Sequence, residues 1–278
     1  VRIELLGDVY HYESFGDARG VPVVFLHGFS QSARTWHPVV ERMLRDPRAS
    51  GLRLLLLDLV GHGASDKPDR ADAYAFAHII EVLERLRTEL GLGRMHLVGY
   101  SMGGRIALLY ALRRPDALRS LVVESASFGP RSRDEAQAMR ERDAALAERL
   151  ARSTPEEFAD WWASMPLFAT QSELPEAVQA AERAMRAAND TKALARVAAG
   201  CGQGTMPSVW EDVAALPVPV HYLVGERDER YAAIASEAAV RWGLDVRSFP
   251  TGHNVHLESP ERYALALLDI FSDEQERP

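Results

Sequence analysis

The sequence holds a single cysteine, Cys201, in 278 residues. No disulfide can form within the chain, which suits a reducing compartment. Long hydrophobic runs are missing as well. The densest, Leu52 to Val60, is interrupted by Arg53 and Asp58 and is far too short to span a bilayer. No charged-then-apolar leader is evident, so the expectation is a cytoplasmic protein with no membrane partner. Positive charge is scarce: 32 Lys and Arg face 40 Asp and Glu, a formal net charge of -8. That excludes general nucleic-acid binding, which depends on basic surface to neutralise phosphates. The same field repels anions, so a site for an acid needs cations concentrated locally. H-E-x-x-H and G-x-G-x-x-G are both absent, and neither a metal nor a redox cofactor is expected.

What is present is an alternation. VPVVFLHGF, LRLLLLDLVGHG, MHLVGYS and SLVVES are apolar runs, three of them ending in glycine turns, and Phe76 to Leu90 carries apolar residues at helical spacing. Strands alternating with helices predict an α/β protein with a mostly parallel sheet covered on both faces. From about residue 126 to 216 the alternation stops. Ala, Glu and Arg dominate there, and Pro155, Pro166 and Pro175 cut the segment into short helical pieces. Strand signals resume at VPVHYLVG and DVRSFP, and a closing helix is expected over Glu258 to Phe271. The chain therefore divides into a core, residues 1–125 and 217–278, with a helical cap, residues 126–216, inserted between its halves.

GYSMG, Gly99 to Gly103, fits the G-x-S-x-G nucleophile elbow, with a strand-like run before it and a helix-like run after it. Ser101 is the candidate nucleophile or base. A serine hydroxyl needs a histidine within reach, itself oriented by a carboxylate. In the chain order expected of this elbow both lie downstream. Asp228, in GERD, and His253, in GHN, occupy turns after late strands. His256 is a rival base, and Glu124, at the end of SLVVE, an alternative acid. HGF, His27 to Phe29, follows an early strand, where a backbone N–H can join that of the residue after the serine in an oxyanion hole. Those donors are assigned to Phe29 and Met102. His62, in GHG, reads as a structural loop residue.

Taken in order, HGF, DLVGHGASD, GYSMGG, GERD and GHNVHLESP make the chain resemble the α/β-hydrolase superfamily along almost its whole length. GYSMGGR, VESASFG, FADWWASMPLFATQ and AAGCGQGTMPSVWED carry a narrower resemblance, to the 2-succinyl-6-hydroxy-2,4-cyclohexadiene-1-carboxylate (SHCHC) synthases of menaquinone biosynthesis. That resemblance implies a lyase that eliminates pyruvate from a polycarboxylate, with Ser101, His253 and Asp228 removing a proton and no cofactor involved. It also implies substrate-binding roles for Tyr100, Arg105, Trp161 and Arg186. The alternative for Arg186 is a solvated cap-helix residue, and for Trp161 and Trp162 packing within the cap. The family's third cap arginine falls on Met139 here, and Arg140 is the candidate replacement. The competing functions are a carboxylesterase or carbon–carbon bond hydrolase with the same triad, and a non-catalytic binding protein on the same fold.

Overall fold

The apolar runs pair into one sheet. The computed structural model describes residues 1–276. Strands β1 (Arg2–Leu5), β2 (Asp8–Gly16), β3 (Val21–Leu26), β4 (Leu52–Leu57), β5 (Met95–Tyr100), β6 (Leu118–Glu124), β7 (Val220–Gly225) and β8 (Asp245–Phe249) lie in the order β1-β2-β4-β3-β5-β6-β7-β8. From β4 to β8 every pairing is parallel, while β1–β2 and β2–β4 are antiparallel. β3, β5 and β7 are buried almost throughout, as parallel strands with both faces covered must be. The antiparallel β1–β2 pair is an addition to the sequence reading. β2, paired with β1 on one side and β4 on the other, alternates buried and half-exposed residues, the mark of an antiparallel strand with one solvated face.

Helices α1 (His37–Met43), α2 (Phe76–Glu89) and α3 (Met102–Arg113) belong to the first half of the core. Between β6 and β7 come α4 (Arg133–Arg152), α5 (Pro155–Ala163), α6 (Glu176–Ala187), α7 (Thr191–Gly200) and α8 (Trp210–Ala214). The cap prolines start elements as much as they end them. Pro155 opens α5 behind a Thr154/Glu157 capping box, and Pro166 opens a short 3-10 turn, positions where the missing N–H costs nothing. Leu150, Phe158, Leu194 and Ala198 give this helical layer a small core of its own, against which Phe29 and Trp162 pack. Helices α9 (Glu229–Trp242), α10 (Val255–Glu258) and α11 (Pro260–Glu276) complete the fold. Two apolar clusters fill the two faces of the sheet. The carboxyl ends of β3, β5, β6 and β7 converge under the cap, where ligands bind in open α/β sheets. Among the described residues no helix is long and apolar enough to cross a membrane.

Candidate active site

β5 ends at Tyr100, and α3 begins at Met102, so one residue makes the whole turn. Ser101 takes it with φ 50 and ψ -106, a conformation that costs of order 1–3 kcal/mol and persists only where packing enforces it. The flanking glycines enforce it. A Cβ on Gly99 would lie 2.4 Å from the Gly103 carbonyl oxygen, and one on Gly103 would lie 2.3 Å from that of Leu26. The Glu124 carbonyl accepts the Ser101 N–H at 2.8 Å and pins the elbow to β6.

His253 Nε2 lies 3.2 Å from Ser101 Oγ, and His253 Nδ1 lies 2.6 Å from Asp228 Oδ2. Asp228 projects from the turn after β7 and also caps α9, its Oδ1 accepting the Tyr231 N–H at 3.4 Å. His253 is 2% exposed and Asp228 6%, so their bond is sheltered from water. With Nδ1–H donating to the carboxylate, Nε2 is left to take the serine proton. The rivals are engaged elsewhere: His256 Nδ1 bonds Glu124 Oε2 at 2.7 Å, and neither reaches Ser101.

Met102 opens α3, where a backbone N–H has no intrahelical acceptor. The Phe29 N–H likewise meets no protein acceptor among the described residues. The loop that carries Phe29 is braced by two histidines. His62 Nε2 accepts the Ser30 N–H at 3.2 Å, with its Nδ1 on the Val60 carbonyl; His27 Nε2 accepts the Leu59 N–H at 3.1 Å. Burial holds both imidazoles below their ordinary pKa, His62 far below. Neutral rings are what these acceptor roles require, so His62 is a structural clamp.

A pocket of about 100 Å³, open to solvent on one side, lies over Ser101. Tyr100, Arg105, Arg186, Phe29 and Met102 all line it. Arg105 sits on the first turn of α3, 8% exposed, with Nη1 donating to the Cys201 carbonyl at 2.9 Å and, among the described residues, no carboxylate within ion-pair distance. Arg186 is 3% exposed. Its Nη2 donates to Gln171 Oε1 at 3.1 Å and approaches Glu182 Oε2 at 3.5 Å, while its buried Nε has no partner. Arg186 is therefore no solvated helix residue. Glu182 is buried beside it, and burial pushes its carboxyl pKa up against the pull of the Arg186 charge. Burial together with the nearby Glu124 charge raises the Tyr100 phenol far above its usual range.

Two expected site residues are not in this pocket. Arg140 is exposed on α4 and donates to Gln137 one turn back at 2.9 Å. Its helix phase turns it outward, because Met139 takes the buried position. Trp161 stacks under Arg149, 4.0 Å away; it is Trp162 that lines the pocket and packs on Phe29 at 5.2 Å. The sequence reading also missed Gln31, Asp143, Phe168, Glu182, Gln203 and Tyr231. They come from six separate segments, and only the blocks FADWWASMPLFATQ and AAGCGQGTMPSVWED, which hold Phe168 and Gln203, hinted at any of them. Among the described residues no group of three or more His, Cys, Asp or Glu could hold a metal ion.

Residues 21–260 match the family model described as alpha/beta hydrolase fold. The 2-succinyl-6-hydroxy-2,4-cyclohexadiene-1-carboxylate synthase of Salmonella schwarzengrund (strain CVM19633) is 33% identical over 263 residues, 94% of this chain and 98% of that one. A Bacillus subtilis (strain 168) relative, which carries the same name provisionally, is 34% identical over 252 residues, 90% of each chain. A solved structure of MenH from S. aureus superposes with a TM-score of 0.87 at 30% identity, covering 96% of this chain and 99% of that one. The chain belongs to the alpha/beta hydrolase fold family.

Proposed function

We propose that this member of the family is a lyase that eliminates pyruvate from 2-succinyl-5-enolpyruvyl-6-hydroxy-3-cyclohexene-1-carboxylate to give SHCHC in menaquinone biosynthesis. The observation that carries this reading is the pair of buried guanidiniums, Arg105 and Arg186, in one pocket with Ser101. Burying two arginines in an acidic protein is costly unless carboxylates come to meet them, and the guanidinium fork matches carboxylate geometry. The names of the relatives support the same chemistry.

In this mechanism Ser101 passes its proton to His253, and the alkoxide takes the proton of the ring carbon that bears the succinyl ketone. The electron pair moves through the ring double bond and breaks the carbon–oxygen bond to the enolpyruvyl group. Pyruvate leaves as its enolate and takes up a proton from His253, which holds the one received from Ser101, or from water. Negative charge on the succinyl carbonyl is stabilised by the Phe29 and Met102 N–H groups, and Asp228 supports the imidazolium. Tyr100 and the cap side chains hold the flexible acid and exclude water.

Pyruvate release from the freshly prepared precursor, measured against its spontaneous breakdown, tests the proposal. Acceleration that falls at least roughly 10³-fold in Ser101→Ala is expected. No acceleration, together with turnover of p-nitrophenyl esters, would instead identify a carboxylesterase or carbon–carbon bond hydrolase.

A further inference from the structure

Beside the catalytic pocket lies a second groove of about 450 Å³, open to solvent. Trp161, Trp162 and Met139 supply an apolar floor, and Arg142, Arg149 and Arg230 stand around it. Among the described residues none of these three arginines has a carboxylate within ion-pair distance. Arg149 lies flat on Trp161 at 4.0 Å, Arg230 donates to Gln203 Oε1 at 3.2 Å, and Arg142 has no protein acceptor among the described residues. Three other arginines near the cap are neutralised, Arg183 by Asp160, Arg227 by Glu173 and Arg196 by Asp69.

Three unpaired guanidiniums on one groove are notable in a chain of net charge -8. The net charge disfavours anions overall, and clustered cations of this kind attract them locally. The groove also communicates with the catalytic pocket. Asp143, Leu146, Trp162 and Gln203 line both. The one acidic member of that shared wall is engaged, since Asp143 accepts the Gly204 N–H at 2.7 Å. Arg105 lies just inside this wall, so cations continue from the groove to the nucleophile.

We infer that the groove walled by Arg142, Arg149, Arg230 and Trp161 is an outer binding site for a small organic polycarboxylate with an apolar ring, occupied on the way to Ser101. The tryptophan face takes the ring, and the guanidinium edges take the carboxylates. The inference rests on the polycarboxylate substrate proposed above and gives it a route through a repulsive field. It also identifies cations that the chain carries on this side of the cap, where Met139 offers none.

The test uses a probe that needs no turnover. Phenylsuccinate and its neutral dimethyl ester are titrated into the full-length protein and into the R142Q/R149Q/R230Q variant, following tryptophan fluorescence. All three positions are exposed, so matched circular dichroism and melting temperature are expected. Phenylsuccinate affinity should fall at least fivefold in the variant and lose most of its dependence on salt, while the ester binds both proteins alike. The kcat/KM for the enolpyruvyl precursor should fall by a similar factor. Unchanged phenylsuccinate affinity, no phenylsuccinate binding by the wild-type protein, or an equal loss for the ester would each overturn the site. Because the binding arm involves no reaction, failure to release pyruvate would overturn the lyase proposal and leave this one standing.

Discussion

The Glu124 carboxylate sits 2.7 Å from His256 Nδ1, and both side chains are wholly buried. Around them the His256 N–H also reaches Glu124 Oε1 at 3.2 Å, Thr35 Oγ1 lies 3.0 Å from His256 Nε2, and the Trp36 ring stacks on the imidazole at 4.1 Å. The alternative acid and the rival base thus satisfy each other below the site. Glu124 links both halves of the candidate site: its carbonyl holds the Ser101 amide, and its carboxylate holds the segment three residues after His253.

The two carboxylates should therefore fail in different ways. Glu124→Leu leaves a buried imidazole unpaired and is expected to cost about 3–5 kcal/mol in urea unfolding. Asp228→Asn should leave stability nearly intact and lower kcat about 10⁴-fold, because the imidazole loses its tautomer control. A large stability loss in Asp228→Asn with little loss of kcat would reverse these roles.

Arg105→Ala removes a buried cation from the pocket. A charge-assisted contact to a substrate carboxylate contributes roughly 1.5–3 kcal/mol, so kcat/KM should drop about 10- to 100-fold. Arg105→Lys should recover little, since an ammonium lacks the fork. Wild-type kinetics on the anionic substrate in Arg105→Ala would remove this residue from binding.

The Cys201 thiol is 1% exposed, and burial pushes its pKa up to about 12. Reactivity follows the thiolate fraction. The native protein should therefore leave Ellman's reagent unreacted for hours and titrate one thiol per chain once unfolded in guanidinium chloride. Rapid labelling of the folded protein would contradict this burial.

Stability should fall with pH through the buried histidines. Burial lowers the pKa of His96 to about 3, and those of His27 and His62 below 6.5. Below about pH 6.5 the unfolded chain takes up protons that the folded one refuses, so the contribution is intact above 6.5 and lost as pH falls. Each such group adds a slope of up to about 1.4 kcal/mol per pH unit. Urea midpoints measured between pH 6.5 and 4 should show a shallower slope for His96→Gln than for the wild type, whatever its stability at neutral pH.

Features governed by local backbone chemistry were legible in the residues alone. The elbow declares itself because only glycines tolerate the approaches at positions 99 and 103, and the alternating runs show a parallel sheet because strands covered on both faces must be apolar. Chain order placed Ser101, Asp228 and His253, and the structure brings them within hydrogen-bond reach. Less legible was the β1–β2 edge, whose solvated alternation resembles a polar segment.

Tertiary packing alone decided the rest. Adjacent residues on a helix point about 100° apart, so a shift of one position separates Trp161 from Trp162 and turns Arg140 out while Met139 turns in. That phase depends on which face of α4 and α5 the cap core buries, a choice made by Leu150, Phe158 and Leu194 from three different helices. Pairing His256 with Glu124 likewise joins residues 132 apart. The sequence by itself determined the fold and the candidate triad, whose members sit in short local patterns; the lining of the pocket and the arginine groove exist only once the cap has docked.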